Sequence, residues 1–77
     1  MGQSTLDEPI KSFVLTLHCV GVNFEKAFRA ELIAAFAQGA DQALVHGKHN
    51  YAIGTHTISV LKDSSGRVVG KLELIVG

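Results

Sequence analysis

Few side chains in this sequence are grouped as chemistry would need, and the four histidines are the only concentration of them. His46, His49 and His56 fall in one short stretch, and His18 stands beside the only cysteine, Cys19. Imidazole and thiolate are the preferred ligands of zinc and copper, so these groups could converge on an ion. Their spacing matches no zinc-finger or metalloprotease pattern, and Gly47 places a turn among them. They are read as surface and turn histidines, with His46, His49 and His56 the closest-spaced metal-ligand candidates. The pair His18-Cys19 has the composition of a base and a nucleophile, but neighbours along a strand point to opposite faces. Cys19 continues the alternate set Phe13, Leu15 and Leu17, which predicts a core thiol rather than an activated one.

The carboxylates suggest no acid-base pair. Glu25 and Asp41 bracket a helical stretch at its two ends, and Glu73 has Lys71 as its nearest partner. A lone Gly21 before the helix is not a phosphate loop. No catalytic constellation and no cofactor motif results, so a non-enzymatic protein is expected.

The element that must position everything else is the helix that begins at Asn23. Phe24, Phe28, Leu32, Ala35 and Phe36 recur at helical spacing, which predicts an apolar stripe laid on a sheet. Asn23 is expected to cap the amino end. Gly39 is expected to end the helix, with Ala43–His46 then an optional short strand; in the rival reading the helix runs to His46 and Gly47 ends it. Lys11 to Val20, Tyr51 to Asp63 and Val68 to Val76 are rich in β-branched residues and alternate in polarity. Asp63-Ser-Ser-Gly-Arg67 is a turn that joins the last two as a hairpin. The final strand has the densest apolar content, with Val68, Leu72, Leu74 and Val76 assigned inward, and should be central. The expected fold is α+β: one long helix on one face of a three- to four-stranded antiparallel sheet, in the order β-α-(β)-β-β.

With 77 residues the chain forms one domain, read as an arm over residues 1–9 ending at Pro9 and a globular unit over 10–77. Seven basic residues balance seven acidic ones, so nothing draws the chain to phosphate backbones. Nucleic-acid binding through Lys48, Lys62, Arg67 and Lys71 is a distant third reading. No signal peptide and no membrane span are seen, and one cysteine fits a reducing cytoplasm.

The apolar fraction of 47% is high for so short a chain and predicts self-association or a partner. The surface expected to serve is the outward sheet face, with Thr16, His18, Thr57, Ser59, Lys71 and Glu73 as binding residues and valines at its ends. An open edge strand offers a second route to association. The function expected is therefore protein-protein interaction, as a small inhibitor or adaptor of bacterial or phage type. The alternative is a homo-oligomer that holds a small ligand or metal between subunits with His18, His46, His49, His56 and Tyr51.

The order strand, helix, strand, strand, with alternation in the final strand, resembles that of dodecins, which are small flavin-binding homo-oligomers. Dodecins stack flavin on a tryptophan. This chain has no tryptophan, and Tyr51 is its one polar aromatic. No residue carries across and no family is assigned.

Overall fold

The computed structural model describes residues 10–77; the arm read over residues 1–9 lies outside the described residues. In chain order the elements are strand β1 (Lys11–Leu17), short helix α1 (Val22–Lys26), long helix α2 (Phe28–His46), strand β2 (Gly54–Lys62) and strand β3 (Val68–Val76). The strands form one sheet in the order β1-β3-β2, and both pairings are antiparallel. The final strand is central, as its dense apolar content predicts, with Leu72, Leu74 and Val76 buried. The sheet has three strands. Ala43–His46, assigned above to an optional fourth, is the last turn of α2.

Gly39 does not end the helix. It lies buried in the middle of α2, where a β-carbon would stand 2.6 Å from Cδ1 of Leu15. A glycine inside a helix costs about 1 kcal/mol relative to alanine, and what it permits here is a close approach of helix to sheet. One turn either side, Ala35 is fully buried and Ala43 half-buried on the same flank. The helix stops instead at Gly47, whose amide closes on the Ala43 carbonyl at 2.8 Å. The carbonyl ends exposed there accept from Nζ of Lys11, at 3.2 Å from Gly47 and 2.9 Å from His49. A lysine at this end also opposes the negative pole of the helix.

Two polar side chains of α2 hold it to the far side of the sheet. Glu31, 8% exposed, accepts the amide of Ser64 at 3.0 Å. Gln38 engages Lys62 twice: its Nε2 donates to the carbonyl at 2.6 Å and its Oε1 accepts the amide at 2.9 Å. The face of α2 toward the sheet thus runs Glu31, Ala35, Gly39, and the phenylalanine stripe is not the buried one. Phe24 is buried, but Phe28 and Phe36 are 54% and 53% exposed. The physical reason is twofold. The helix breaks at Ala27 (φ −141°, ψ 57°), which separates Phe24 from the phase of α2, and small residues bring the backbone nearer the strands than rings would allow. Phe28 keeps one aromatic contact, edge-on to Phe24 at 6.2 Å. Asn23 is no cap either: it lies inside α1, behind Gly21, and its Nδ2 donates to Oγ of Ser65 at 2.6 Å.

The hairpin turn forms where expected. Gly66 takes φ +83°, and its amide donates to the Asp63 carbonyl at 2.9 Å. Asp63 is buried; its Oδ1 accepts the amides of Ser65 at 2.9 Å and Arg67 at 3.0 Å, and its Oδ2 faces Nε of Arg67 at 3.5 Å. Burial alone would raise the pKa of this carboxyl. The Arg67 amide, the Asn23 side chain, the Ser65 amide and the guanidinium outweigh it, and the group titrates below its ordinary 3.8. A carboxyl held down in the folded state adds stability above its unfolded pKa, and that stability is lost as pH falls through the folded value. Urea midpoints should therefore fall below pH 4 in the wild type, and Asp63→Asn should flatten that fall while lowering the midpoint at neutral pH. Gly70 faces the backbone of β1, and a β-carbon there would overlap the Thr16 carbonyl oxygen. Gly70→Ala should cost about 2–4 kcal/mol in the same assay, because the obstacle is main chain and cannot rotate away.

Candidate docking face

The register defines the sheet face turned away from α2. Residues directly opposite one another in an antiparallel pair share a face. Across central β3, Ile75 lies between Ser12 and Thr55, Glu73 between Val14 and Thr57, and Lys71 between Thr16 and Val60. The helix side is marked by Leu15 against Gly39, so these nine positions form the outward grid. Lys71 and Glu73 pair along its centre, Nζ to Oε2 at 3.6 Å. Val14, Val60 and Ile75 are exposed around them. His18 follows β1 directly, with its amide bonded to the Val69 carbonyl at 2.7 Å. It lines a shallow concavity of about 370 Å³ together with Thr16, Val60, Val68 and Lys71.

Of the residues expected on this face, Thr16, Thr57, Lys71 and Glu73 fall in the grid and His18 at its end. Ser59 does not. Thr57 is set opposite Glu73 but Ser59 opposite Leu72, because Ile58 is an extra residue in β2. The bulge turns Ser59 toward the buried row, where its Oγ donates to the Val60 carbonyl at 3.1 Å, and Val60 takes the outward place. A second bulge makes Val69 the extra residue of β3, opposite the step from Leu61 to Lys62. Val69 is therefore buried and Val68 is exposed, the reverse of simple alternation. Ser12, Thr55 and Val60 are the grid residues that sequence reasoning missed; Ser12 and Thr55 follow from period two carried to the strand ends, whereas Val60 depends on the bulge, which strict period-two counting cannot register.

Cys19, expected in the core, is exposed. β1 ends at Leu17, and the Val20 amide folds back to the His18 carbonyl at 2.9 Å, so the alternation of the strand no longer governs residue 19.

The remaining histidines gather at the other end of the molecule. Nδ1 of His46 and the Tyr51 hydroxyl are 2.8 Å apart, the Tyr51 and His56 rings lie 5.0 Å centre to centre, and His46 and His49 lie 6.0 Å apart. His56 gives its Nε2 to the Ala52 carbonyl at 2.8 Å. These contacts tie the loop before β2 to the end of α2. Among the described residues no three histidine, cysteine, aspartate or glutamate side chains gather closely enough to hold a metal ion. His18 is not part of this cluster. Of the four basic residues considered for a nucleic-acid surface, Arg67 faces Asp63 and Lys71 faces Glu73.

No family model matches the chain, and neither does a curated protein or a solved structure. No helix among the described residues is long and apolar enough to cross a membrane. The Lys71–Glu73 pair is open to water, with the lysine side chain half exposed, and exposed pairs add little to stability. Lys71→Ala should shift the unfolding free energy by less than about 0.5 kcal/mol in a urea titration, which leaves the variant usable as a probe of binding alone.

Proposed function

We infer that the chain is a non-enzymatic protein-interaction module that docks a protein partner on its outward sheet face, as a small inhibitor or adaptor would. The observation that carries this reading is the composition of the grid. A sheet face built only to meet water alternates to polar residues, whereas here Val14, Val60 and Ile75 stand exposed around a charged centre. The apolar residues supply area to be removed from water. Thr16 and Thr57 hydroxyls and the Lys71–Glu73 pair supply directional bonds that set the register of the partner. The zero net charge favours a protein surface over a polyanion, and a lone exposed thiol suits the reducing cytoplasm.

Affinity capture with the tagged chain, read by mass spectrometry, tests the reading. A specific partner should co-purify with the wild type, and its recovery should fall at least about tenfold with Val60→Lys, which places a charge in the middle of the apolar contact. Circular dichroism of the variant should match the wild type. Absence of any partner, or a partner held equally well by Val60→Lys, would sink the proposal.

A further inference from the structure

The hydrogen-bond phase of β1 can be read along its length. Ile10 and Gly77 exchange both bonds, at 3.3 and 3.1 Å, and the His18 amide bonds the Val69 carbonyl at 2.7 Å. Bonded and non-bonded residues alternate in an antiparallel ladder. The even-numbered residues between Ile10 and His18 therefore turn their main-chain groups to β3, and Lys11, Phe13, Leu15 and Leu17 turn theirs to the open edge. The two edges of the sheet are treated differently. On β2 the register is interrupted by bulges, and Gln38 covers both main-chain groups of Lys62. On β1 the pairing runs through seven residues without a bulge or a proline. An uninterrupted, largely apolar edge of this kind is a template for another strand.

We propose that β1 pairs antiparallel with β1 of a second copy about a two-fold axis at Val14, joining two sheets into one of six strands. In that register Phe13 meets Leu15 of the second copy, Ser12 meets Thr16, Lys11 meets Leu17, and Val14 meets its own equivalent. Every edge-facing residue finds an edge-facing residue, so the ladder phase is satisfied by symmetry; a shift of one residue would destroy the match. Polarity agrees as well: ring against leucine, hydroxyl against hydroxyl, and the two lysines at opposite ends, so that no like charges oppose. The helix layer supplies an independent observation. Glu31 and Gln38 mark the β2 side of α2, and at about 100° per residue Phe36 and Ala40 lie on the other flank, on the side of β1. A two-fold axis normal to the sheet puts both helices on one face with these flanks toward the second copy. Phe36, 53% exposed in the single chain, then borders the dimer. The pairing leaves Thr57, Val60 and Lys71 free, so it stands or falls separately from the docking of a different protein.

The test is the mass of the full chain in solution, by light scattering and sedimentation equilibrium. A dimer of the 8.2 kDa chain is expected. Val14→Lys sets two lysines face to face across the axis, whereas within one subunit residue 14 lies opposite Glu73 and tolerates a cation. Its dimer dissociation constant should rise roughly 100-fold, and mixing it with Val14→Asp should restore a mixed dimer. Val60→Lys should leave the mass unchanged. Should Val14→Lys fail to fold, Val14→Cys in a Cys19→Ser background decides the matter. Non-bonded opposite residues stand about 4.5 Å apart between α-carbons, within disulfide range, so mild oxidation should link the chains. A wild-type monomer at high concentration, a dimer indifferent to Val14→Lys, or a Val14→Cys chain that does not cross-link would each overturn the proposal.

Discussion

The contact on which the rest of the molecule depends is the approach of α2 to the strands at Gly39. With no β-carbon there, the helix backbone settles against Leu15, and the neighbouring turns follow with Ala35 and the half-buried Ala43. A seam of small residues gains less from burial per side chain than one of leucines, since the hydrophobic term scales with apolar area. The deficit is offset by directional bonds from the helix to strand ends: Glu31 to Ser64, Gln38 to Lys62, and Lys11 back to the carboxyl end of the helix. These fix the diagonal of α2 over the sheet, with its middle at the end of β2 and its last turn beside Phe13.

That choice of seam determines the surface. Because small residues face the strands, the large apolar residues of α2 are left on its outer and β1-side flanks. Ile33, Phe36 and Leu44 are all exposed. The helix therefore carries two apolar arcs with opposite fates, one dry and narrow, the other wide and open. The same separation recurs in the sheet, where Leu72 and Leu74 are buried while Ile75, between them and the chain end, faces water. Local packing and surface chemistry are consequences of a single spacing.

The features legible in the sequence are those that depend on local rules. The hairpin at Asp63–Arg67, the central place of the last strand and the α+β order follow from turn chemistry and alternation, and the structure has them all. Thr16, Thr57, Lys71 and Glu73 are likewise placed together by period two alone. What was not legible depends on long-range geometry. Gly39 has the residue type of a helix terminator, and only the presence of Leu15 beneath it explains why it sits mid-helix. Phe28 and Phe36 match a buried stripe by spacing, but spacing cannot say which of two apolar arcs the sheet will select. Ser59 and Val68 depart from their expected faces for one reason: each lies beside a bulge, and one inserted residue reverses the faces on one side of it relative to the other. Cys19 was misplaced because alternation was carried past the end of its strand.

The size of the buried set bears on what kind of object this is. Among the described residues, seven apolar residues are buried and fourteen large apolar residues are exposed. In a domain of this length a single core leaves little net stability after the entropy of ordering the chain is met. Among the described residues, more large apolar side chains are left in water than are sheltered in the core, which is apolar area that any contact covering it would remove from water. The two edges of the sheet differ: β2 is bulged and capped by Gln38, whereas among the described residues β1 is smooth, largely apolar and uncapped. Bulges and a capping side chain keep a sheet edge from pairing with another strand; among the described residues that protection is given to β2 and not to β1, the strand beside which the exposed Phe36 flank of α2 also lies.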